Sequence, residues 1–388
     1  MANNSLSGSV SSLLCHPMNK NSQLRYLDLS QNLLSEELPD CFTNWKFLVY
    51  VNLGSNNLKG SIPESVGSLS NLQSLHLPKN QFSGDLPLSL QNCRSLRLLD
   101  VGENNFSRFV PSCMNQNIRA LKLRSNQFTG NIPSEICQLS SLMILDLANN
   151  KFSGSIPRCI HNITSMIFPN ASIEHEFNIV SSKSKYVSDY SDTLMLLMKG
   201  QELSYSSNLE LVHMIDLSRN NLSGVLPPEL FALTSLQSLN LSQNHLVGKM
   251  PEEIRDMKLL ESLDVSKNKL SGPIPESLSI LSFLSHLNLS FNNFTSKIPT
   301  GTQLQSFDAL SYIGEKLDKK EQHGEEDDFE EFLFGFYASM GVGFAVGFWV
   351  VCATIFFNRR CRHGYFKFVD HVKDKLYVFI VLKMKSLR

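Results

Sequence analysis

The cysteines are the residues whose spacing most clearly indicates covalent chemistry in this sequence. Six of the eight lie before residue 160 and fall on successive units of a repeating pattern, which favours disulfides between neighbouring units. The predicted pairs are Cys15–Cys41, Cys93–Cys113 and Cys137–Cys159. Buried free thiols are the alternative, and the N-C-x-x-L setting of Cys93 is typical of core packing.

Asparagine sequons of the form N-x-S/T are a second site of covalent chemistry, because they accept N-glycans in the secretory pathway. Eight occur, at Asn3, Asn105, Asn162, Asn170, Asn221, Asn240, Asn288 and Asn293. Each sequon alone is a weak signal. Together with the cysteines they favour a secretory-pathway protein.

Other kinds of chemistry lack their residue patterns. The sequence contains no H-E-x-x-H, no G-x-S-x-G and no phosphate-binding loop, and its cysteines do not have the spacing of metal ligands. The net charge of −1 gives no indication of nucleic-acid binding. We therefore predict a protein that is not an enzyme and that holds no metal or cofactor.

A repeat positions these residues, and it is clearest between Met214 and Pro251. There the pattern L-x-L-x-x-N-x-L-x-G-x-ϕ-P occurs twice, the second copy 24 residues after the first. Alternation in L-x-L predicts a short strand with one buried face, the Asn amide can bond loop backbone, and Pro ends the strand. One unit cannot bury its own apolar side chains, so the pattern predicts a stack of units.

The positions of the repeat's asparagine show how far the stack extends. This ladder asparagine occurs at Asn4, Asn32, Asn56, Asn80, Asn104, Asn126, Asn150, Asn220, Asn244, Asn268 and Asn292. Seven of the ten gaps are 24 residues, and one long gap of 70 separates Asn150 from Asn220. Such regularity is typical of a solenoid.

The chain resembles plant leucine-rich-repeat proteins of the extracellular type, whose repeats carry L-x-G-x-I-P, as in Gly60 to Pro63 and Gly154 to Pro157. The resemblance implies an α/β fold, a right-handed solenoid with parallel concave strands and a convex side of loops and short helical turns. We expect the repeats in residues 1–162 and 210–313. Family members begin with a signal peptide and a cysteine-bearing cap, so we expect this sequence to be N-terminally truncated.

Strand residues that lie one, two, four or six positions before a ladder asparagine are expected on the concave surface, where a protein or peptide ligand would bind. For each of them, a solvated strand residue without a role is the alternative. The candidates in the first block of repeats are His76, Lys79, Glu103 and Arg124. In the last four repeats, where the family receives a co-receptor kinase, they are Ser218, Ser242 and Ser266.

Residues 163–209 interrupt the repeat with a segment rich in Ser, Asn, Tyr and charge. This segment resembles the island insert of plant receptor-like proteins. Tyr190, followed after eight residues by Lys199 and Gly200, matches the family's Y-x8-K-G element. The resemblance implies ligand and co-receptor contact, with Lys199 supplying a charge and Gly200 a sharp turn. A disordered linker is the alternative.

Three segments follow the repeats. Residues 314–331 are acidic, residues 332–357 contain no charged side chain over 26 positions, and residues 358–388 are basic. At about 1.5 Å per residue, the apolar segment can cross a hydrocarbon core of about 30 Å, so we predict one transmembrane helix. A buried core helix is the alternative. The basic tail predicts a cytosolic C-terminus at the plasma membrane, with extracellular repeats.

The membrane segment and the tail carry their own motifs. Small residues that permit close helix packing recur every four positions, at Gly335, Ser339, Gly343 and Gly347. In the tail, Tyr365 and Tyr377 lie in Y-x-x-ϕ sequences of the sorting type, which also arise by chance. The run from Val372 to Val378 resembles the tails of receptors of the ethylene-inducing-xylanase type.

These resemblances imply a cell-surface receptor-like protein without a kinase domain, which senses a secreted microbial protein or peptide in plant defence. The implied partners are an adaptor receptor-like kinase, bound through the membrane helix, and a co-receptor kinase, bound through the last repeats. Two other interpretations remain open. One is a developmental receptor-like protein that binds an endogenous peptide, and the other is a non-functional truncated paralogue.

Overall fold

The computed structural model describes residues 1–15, 23–111, 114–168, 192–206, 208–295, 297–301 and 303–313. Cys113, Asn170, Tyr190 and the three predicted segments beyond residue 313 lie outside these ranges. Within them, the repeats form two parallel sheets, which we call the inner sheet and the lateral sheet.

The inner sheet consists of the L-x-L segments, each paired in parallel with the next. With strands numbered along the chain, its order is β2 (Tyr26–Asp28), β4 (Tyr50–Asn52), β6 (Ser74–His76), β8 (Leu98–Asp100), β10 (Ala120–Lys122), β12 (Ile144–Asp146), β16 (Met214–Asp216), β18 (Ser238–Asn240), β20 (Ser262–Asp264) and β22 (His286–Asn288). Strand β12 pairs directly with β16, so the stack continues across the interruption in the sequence.

The lateral sheet consists of the segments that follow the ladder asparagines. Its order is β1 (Ser7–Ser9), β3 (Leu33–Glu37), β5 (Asn57–Gly60), β7 (Gln81–Gly84), β9 (Asn105–Arg108), β11 (Gln127–Asn131), β13 (Lys151–Gly154), β17 (Asn221–Val225), β19 (His245–Gly248), β21 (Lys269–Gly272) and β23 (Asn293–Phe294). Two further strands, β14 (Leu194–Met198) and β15 (Gln201–Tyr205), form a separate antiparallel hairpin.

The helical elements are short. The helix α1 spans Ser11–Cys15, and the 3₁₀ turns span Phe42–Asn44, Glu64–Ser68, Leu88–Asn92, Ser134–Gln138, Arg158–Asn162, Thr164–Met166, Leu209–Leu211, Pro228–Ala232, Glu252–Asp256, Glu276–Ile280, Leu304–Ser306 and Ala309–Tyr312. No helix among the described residues is long and apolar enough to span a membrane. The predicted membrane segment at residues 332–357 lies outside the described residues.

One apolar core runs through the stack. The strand leucines Leu217 and Leu241 are 1% and 0% exposed, as the alternation of L-x-L predicts. A column of stacked rings extends the core from repeat to repeat, with the centroids of Phe82 and Phe106 6.1 Å apart. The repeats therefore share the burial that a single repeat cannot achieve.

The ladder asparagines satisfy buried backbone groups between repeats. The amide nitrogen of Asn126 donates to the carbonyls of Val101 and Leu123, both at 3.0 Å, and to that of Arg124 at 3.2 Å. Its side-chain oxygen accepts from the Phe106 N–H at 2.9 Å. One side chain thus satisfies four backbone groups, which water cannot easily reach.

Replacing Asn126 with alanine is expected to lower the free energy of unfolding by about 1–3 kcal/mol, because the buried Phe106 N–H loses its partner. Asn57→Ala is the matched control, since Asn57 is exposed at the start of β5 and directly follows a ladder asparagine. Chemical denaturation of both variants measures the difference. Equal stability of the two variants would contradict the ladder's role.

Among the described residues, disulfides join neighbouring repeats at two places, Cys15–Cys41 and Cys137–Cys159. The predicted Cys93–Cys113 bond is wrong, because Cys93 is a buried free thiol. Its sulfur lies in the apolar core and donates to the Val66 carbonyl at 3.4 Å. Burial raises the pKa of this thiol to about 11, so it stays protonated at neutral pH.

Candidate ligand-binding site

The hairpin formed by β14 and β15 packs on the inner sheet. Leu194, Leu196 and Met198, which alternate along β14, are 1%, 0% and 6% exposed, whereas β15 is exposed along most of its length. They share a second apolar cluster with inner-sheet residues, among them Leu98, Ala120, Ile144 and Met214. A two-stranded hairpin is marginal alone, so this contact accounts for its stability.

The inner-sheet residues under the hairpin occupy one position of the repeat, six residues before the ladder asparagine. Where the hairpin covers the sheet, this position is apolar. On both sides of the covered region it is polar, as at Ser74, Ser238 and Ser262. The repeats with an apolar residue at this position are therefore the ones that the hairpin covers.

Polar contacts anchor the start of the hairpin. Asp192 is 4% exposed and accepts from the Ser74 hydroxyl at 2.5 Å, while its other oxygen lies 3.2 Å from His76 Nε2. Lys122 Nζ donates to the Met195 carbonyl at 2.9 Å and lies 3.4 Å from Asp100 Oδ2. His76, a predicted ligand residue, is only 3% exposed and instead holds the insert.

The turn of the hairpin agrees with the sharp turn expected at Gly200. Lys199 and Gly200 have φ values of 53° and 74°, the left-handed pair that a two-residue type I′ turn requires. Lys199 Nζ forms an ion pair with Glu261 Oε2 at 2.8 Å. The hairpin tip is thereby fixed on the last repeats, beyond the apolar cluster.

A polar cavity of about 360 Å³ lies between the hairpin and the inner sheet. Its walls are Arg124, Ser125, Asn149, Leu197, Lys199, Gly200, Ser218, Arg219, Ser238, Asn240, Ser242, Gln243, Ser262, Asp264 and His286. From the hairpin, only β14 and the turn contribute to the wall. The sheet contributes mainly hydroxyl and amide groups, which can donate and accept hydrogen bonds.

Two buried carboxyl groups lie beneath this region, on adjacent strands. Asp146 and Asp216 pair in register, and both are 0% exposed. Burial, and next the charge of Asp216, raise the pKa of Asp146 to about 7. Burial also raises the pKa of Asp216, whose Oδ2 has no hydrogen-bond partner.

Arg124 connects the carboxyl pair with the cavity. Its Nη1 donates to Asp146 Oδ2 at 3.0 Å. Burial acts to lower the pKa of Arg124, but the carboxylates of Asp146, Asp216 and Glu202 outweigh it and raise that pKa above its ordinary value. Arg124 therefore remains a cation in the cavity wall, and the carboxyl group of Asp146 beneath it balances part of its charge.

The sequence candidates separate into three groups. The cavity brings together Arg124, Lys199, Gly200, Ser218 and Ser242. Outside it lie His76 under the insert, Lys79 and Glu103 in a surface pair at 3.7 Å, and the buried Ser266. Tyr190 is not among the described residues.

Sequence reasoning missed several wall residues, namely Ser125, Asn149, Leu197, Ser238, Asn240, Ser262 and His286. Ser238, Ser262 and His286 occupy the position six residues before the ladder asparagine, which does identify concave residues. Applying that rule to the last repeats would have found them. Leu197 carried no such signal, because its place depends on how the insert docks.

Comparisons with known proteins agree with this architecture. Leucine-rich-repeat models match residues 22–82, 117–139, 141–163, 212–233, 235–257, 259–281 and 283–304. These segments make up just over half of the 388 residues. The chain belongs to the leucine-rich-repeat family.

A curated relative of this leucine-rich-repeat chain is the receptor-like protein EIX2 of Solanum lycopersicum. The two are 47% identical over 245 residues, which cover 56% of this chain and 23% of EIX2. The chain thus spans less than a quarter of that relative's length. The identity supports a relationship with plant receptor-like proteins.

Solved structures with the same architecture include plant receptor ectodomains. The Arabidopsis receptor kinase HAESA, in complex with the peptide hormone IDA and the co-receptor SERK1, matches with a TM-score of 0.56 and 26% identity, covering 80% of this chain and 51% of HAESA. A plant ice-binding protein matches with a TM-score of 0.54 and 24% identity over 75% of this chain and 78% of its own. The second likeness concerns the fold alone.

Proposed function

We propose that this chain is part of a plant receptor-like protein and that it binds an extended peptide in the cavity beside β14. The observation that carries the proposal is the outer edge of β14, which pairs with no strand among the described residues and opens onto a polar cavity. Strand edges bind extended peptides through main-chain hydrogen bonds, and neighbouring pockets then select the side chains.

The register of the hairpin defines this edge. In a two-residue hairpin the residues next to the turn, Met198 and Gln201, form a hydrogen-bonded pair, and the next pair, Leu197 and Glu202, does not. The N–H and C=O of Leu197 therefore point away from β15. The carbonyl of Met195 points outward in the same way, and Lys122 Nζ already donates a hydrogen bond to it.

The cavity wall suits a peptide main chain. Ser218, Ser238 and Ser262 line the sheet side, and Arg219 and Asp264 add opposite charges at the wall. Serine hydroxyls both donate and accept hydrogen bonds, so they can satisfy peptide groups of either kind. The charged residues would select polar side chains.

The related proteins support this proposal. EIX2 is a receptor-like protein, and the HAESA complex contains a peptide hormone together with a co-receptor. We propose that this chain likewise acts at the cell surface in plant defence, senses a secreted microbial protein or peptide, and lacks catalytic activity of its own. Signalling would then pass to a co-receptor kinase at the last repeats and to an adaptor kinase at residues 332–357, through Gly335, Ser339, Gly343 and Gly347.

The peptide hormone in the HAESA complex favours a second candidate function, the binding of an endogenous developmental peptide. The same cavity would serve either ligand. Transcript levels distinguish the two: induction by microbial challenge supports defence, whereas expression confined to growing tissue supports development.

The edge is tested with a phage-displayed library of random dodecapeptides, selected on the full chain. Leu197→Pro removes the outward N–H and is expected to weaken binding of the selected peptides at least tenfold, because proline cannot donate to an added strand. Glu202→Pro is the matched control, since Glu202 lies directly opposite Leu197 on β15 and is not a wall residue of the cavity.

Binding is measured by biolayer interferometry on both variants. Loss of affinity in Leu197→Pro with retention in Glu202→Pro supports binding at the β14 edge. Equal affinity of the two variants would contradict it, as would the failure of the library to yield any peptide that competes for the cavity.

A further inference from the structure

The structure places five of the sequons on its two sheets, three on the lateral sheet and two on the inner sheet. Asn105, Asn221 and Asn293 each follow a ladder asparagine and each begin a lateral strand, β9, β17 and β23. Asn240 and Asn288 each end an inner strand, β18 and β22. Sequons on the two sheets therefore face different surroundings.

The lateral sequons form an evenly spaced row. In the order of the lateral sheet, β9, β17 and β23 are the fifth, eighth and eleventh strands. Three strand spacings of about 4.8 Å place neighbouring asparagines about 14 Å apart. Asn105 and Asn221 are exposed, and Asn293 is half-buried.

The lateral sheet has exposed apolar side chains and an outer strand edge, which a bulky, soluble group would shield from contact with other chains. Apolar side chains stand exposed on or beside its strands, with Val225 at 53%, Val247 at 39% and Phe109 at 66%. Phe109 directly follows the strand of Asn105, and Val225 shares a strand with Asn221. Asn293 lies on β23, the last strand of the sheet, whose outer edge is a site for unwanted strand pairing.

The inner sequons lie in the opposite situation. Asn240 is a wall residue of the cavity, and its side-chain oxygen accepts from the Ser242 N–H at 3.1 Å and the Ser242 hydroxyl at 2.7 Å. Asn288 makes the same contacts with Ser290. Both serines are 4% exposed, so the sequon hydroxyls are enclosed in the folded chain. A sugar on Asn240 would fill the cavity.

We propose that N-glycans on Asn105, Asn221 and Asn293 cover the lateral sheet, and that Asn240 and Asn288 carry none. Partners then approach from the inner sheet or from the side of the 3₁₀ turns. This inference rests on the secretory location contained in the proposed function, but it does not depend on peptide binding.

Site-resolved glycan mapping tests the proposal. The full chain is directed to the secretory pathway of plant cells, recovered from solubilised microsomes, and treated with peptide-N-glycosidase A in ¹⁸O water. Mass spectrometry is expected to find ¹⁸O-labelled aspartate at the three lateral positions and none at Asn240 or Asn288. Comparable labelling at Asn240 or Asn288, or absence of label at the lateral positions, would overturn it.

A gain-of-glycan variant keeps the test independent of loss of folding. Gln127 begins β11, next to β9, and is followed by Phe128 and Thr129, so Gln127→Asn creates a fourth lateral sequon. One additional glycan is expected, with unchanged affinity for the library peptides. An unmodified Gln127→Asn chain would contradict accessibility of this sheet. Peptide affinity measured on unglycosylated bacterial protein shows separately whether the binding proposal fails.

Discussion

Leu196→Asp is expected to release the hairpin from the inner sheet and to abolish binding of library peptides. Leu196 is 0% exposed and packs in the cluster that contains Ala120, Ile144 and Met214. Losing a buried leucine costs about 2–5 kcal/mol, and enclosing a carboxylate without a partner adds to that cost. A hairpin without this contact is marginally stable in water, so its edge and the cavity are lost together.

Leu203→Asp provides the matched control. Leu203 is paired directly with Leu196 across the hairpin, but it is 42% exposed. The same charge at this position is expected to leave docking and peptide affinity unchanged. Limited proteolysis between residues 192 and 206, together with peptide binding, compares the variants. Retention of full affinity in Leu196→Asp would show that the docked hairpin is not needed.

The melting temperature of the repeats is expected to change little in Leu196→Asp. The hairpin cluster and the core of the stack are separate sets of residues. Local release with an intact stack is therefore the expected outcome. If the hairpin and the stack instead unfolded together, the insert would be needed for folding of the repeats.

Asp216→Asn is expected to reduce the pH dependence of stability. Asp146 has a pKa of about 7 in the folded chain, above its ordinary value of 3.8, because burial and the neighbouring Asp216 disfavour its charge. A raised pKa stabilises the folded chain fully below the unfolded value, and this contribution is lost as pH rises toward 7. At 1.36 kcal/mol for each pKa unit, the free energy of unfolding is expected to fall by about 4 kcal/mol between pH 4 and pH 8.

Asparagine at position 216 keeps the local hydrogen bond. Asp216 Oδ1 accepts from the Ser218 N–H at 2.9 Å, and Asn240 makes the equivalent bond to Ser242. The substitution removes one of the two buried charges, so the fall in unfolding free energy with rising pH is expected to shrink. The variant is produced in bacteria, because it also creates a sequon.

Asp28→Asn is the control for this measurement. Asp28 also accepts from the N–H two residues later, at 3.0 Å, but its neighbour in the sheet is Asn52 and not a second carboxylate. Urea denaturation at pH 5 and pH 8 measures how the free energy of unfolding changes with pH. Asp28→Asn is expected to show the wild-type change, and Asp216→Asn a smaller one. An unchanged slope in Asp216→Asn would show that the two carboxyl groups do not interact.

Local regularity made most of the stack predictable. The strands, the ladder asparagines and the turn at Lys199 and Gly200 depend on residues near in sequence, and the structure has them where the pattern indicates. Two of the three expected disulfides are present, since each joins equivalent positions of neighbouring repeats. Cys93 differs because its side chain enters the core, a possibility that its spacing to the next leucine already indicated.

The candidate site was less predictable, because the insert decides which part of the inner sheet stays open. Position in the repeat identified His76 and Arg124 equally well as surface residues. The structure buries His76 against Asp192 and leaves Arg124 in the cavity wall. The change from apolar to serine residues six positions before the ladder asparagine contained this information, but its meaning depends on a contact between segments distant in sequence.

Amide hydrogen exchange at Leu197 tests the central claim most directly. In the free chain, the paired amides of Leu196 and Met198 are expected to be protected, while that of Leu197 exchanges rapidly. Saturation with a selected peptide is expected to slow exchange at Leu197 at least a hundredfold and to leave Glu202 unchanged. Rapid exchange at Leu197 in the complex would contradict binding of a peptide at this edge.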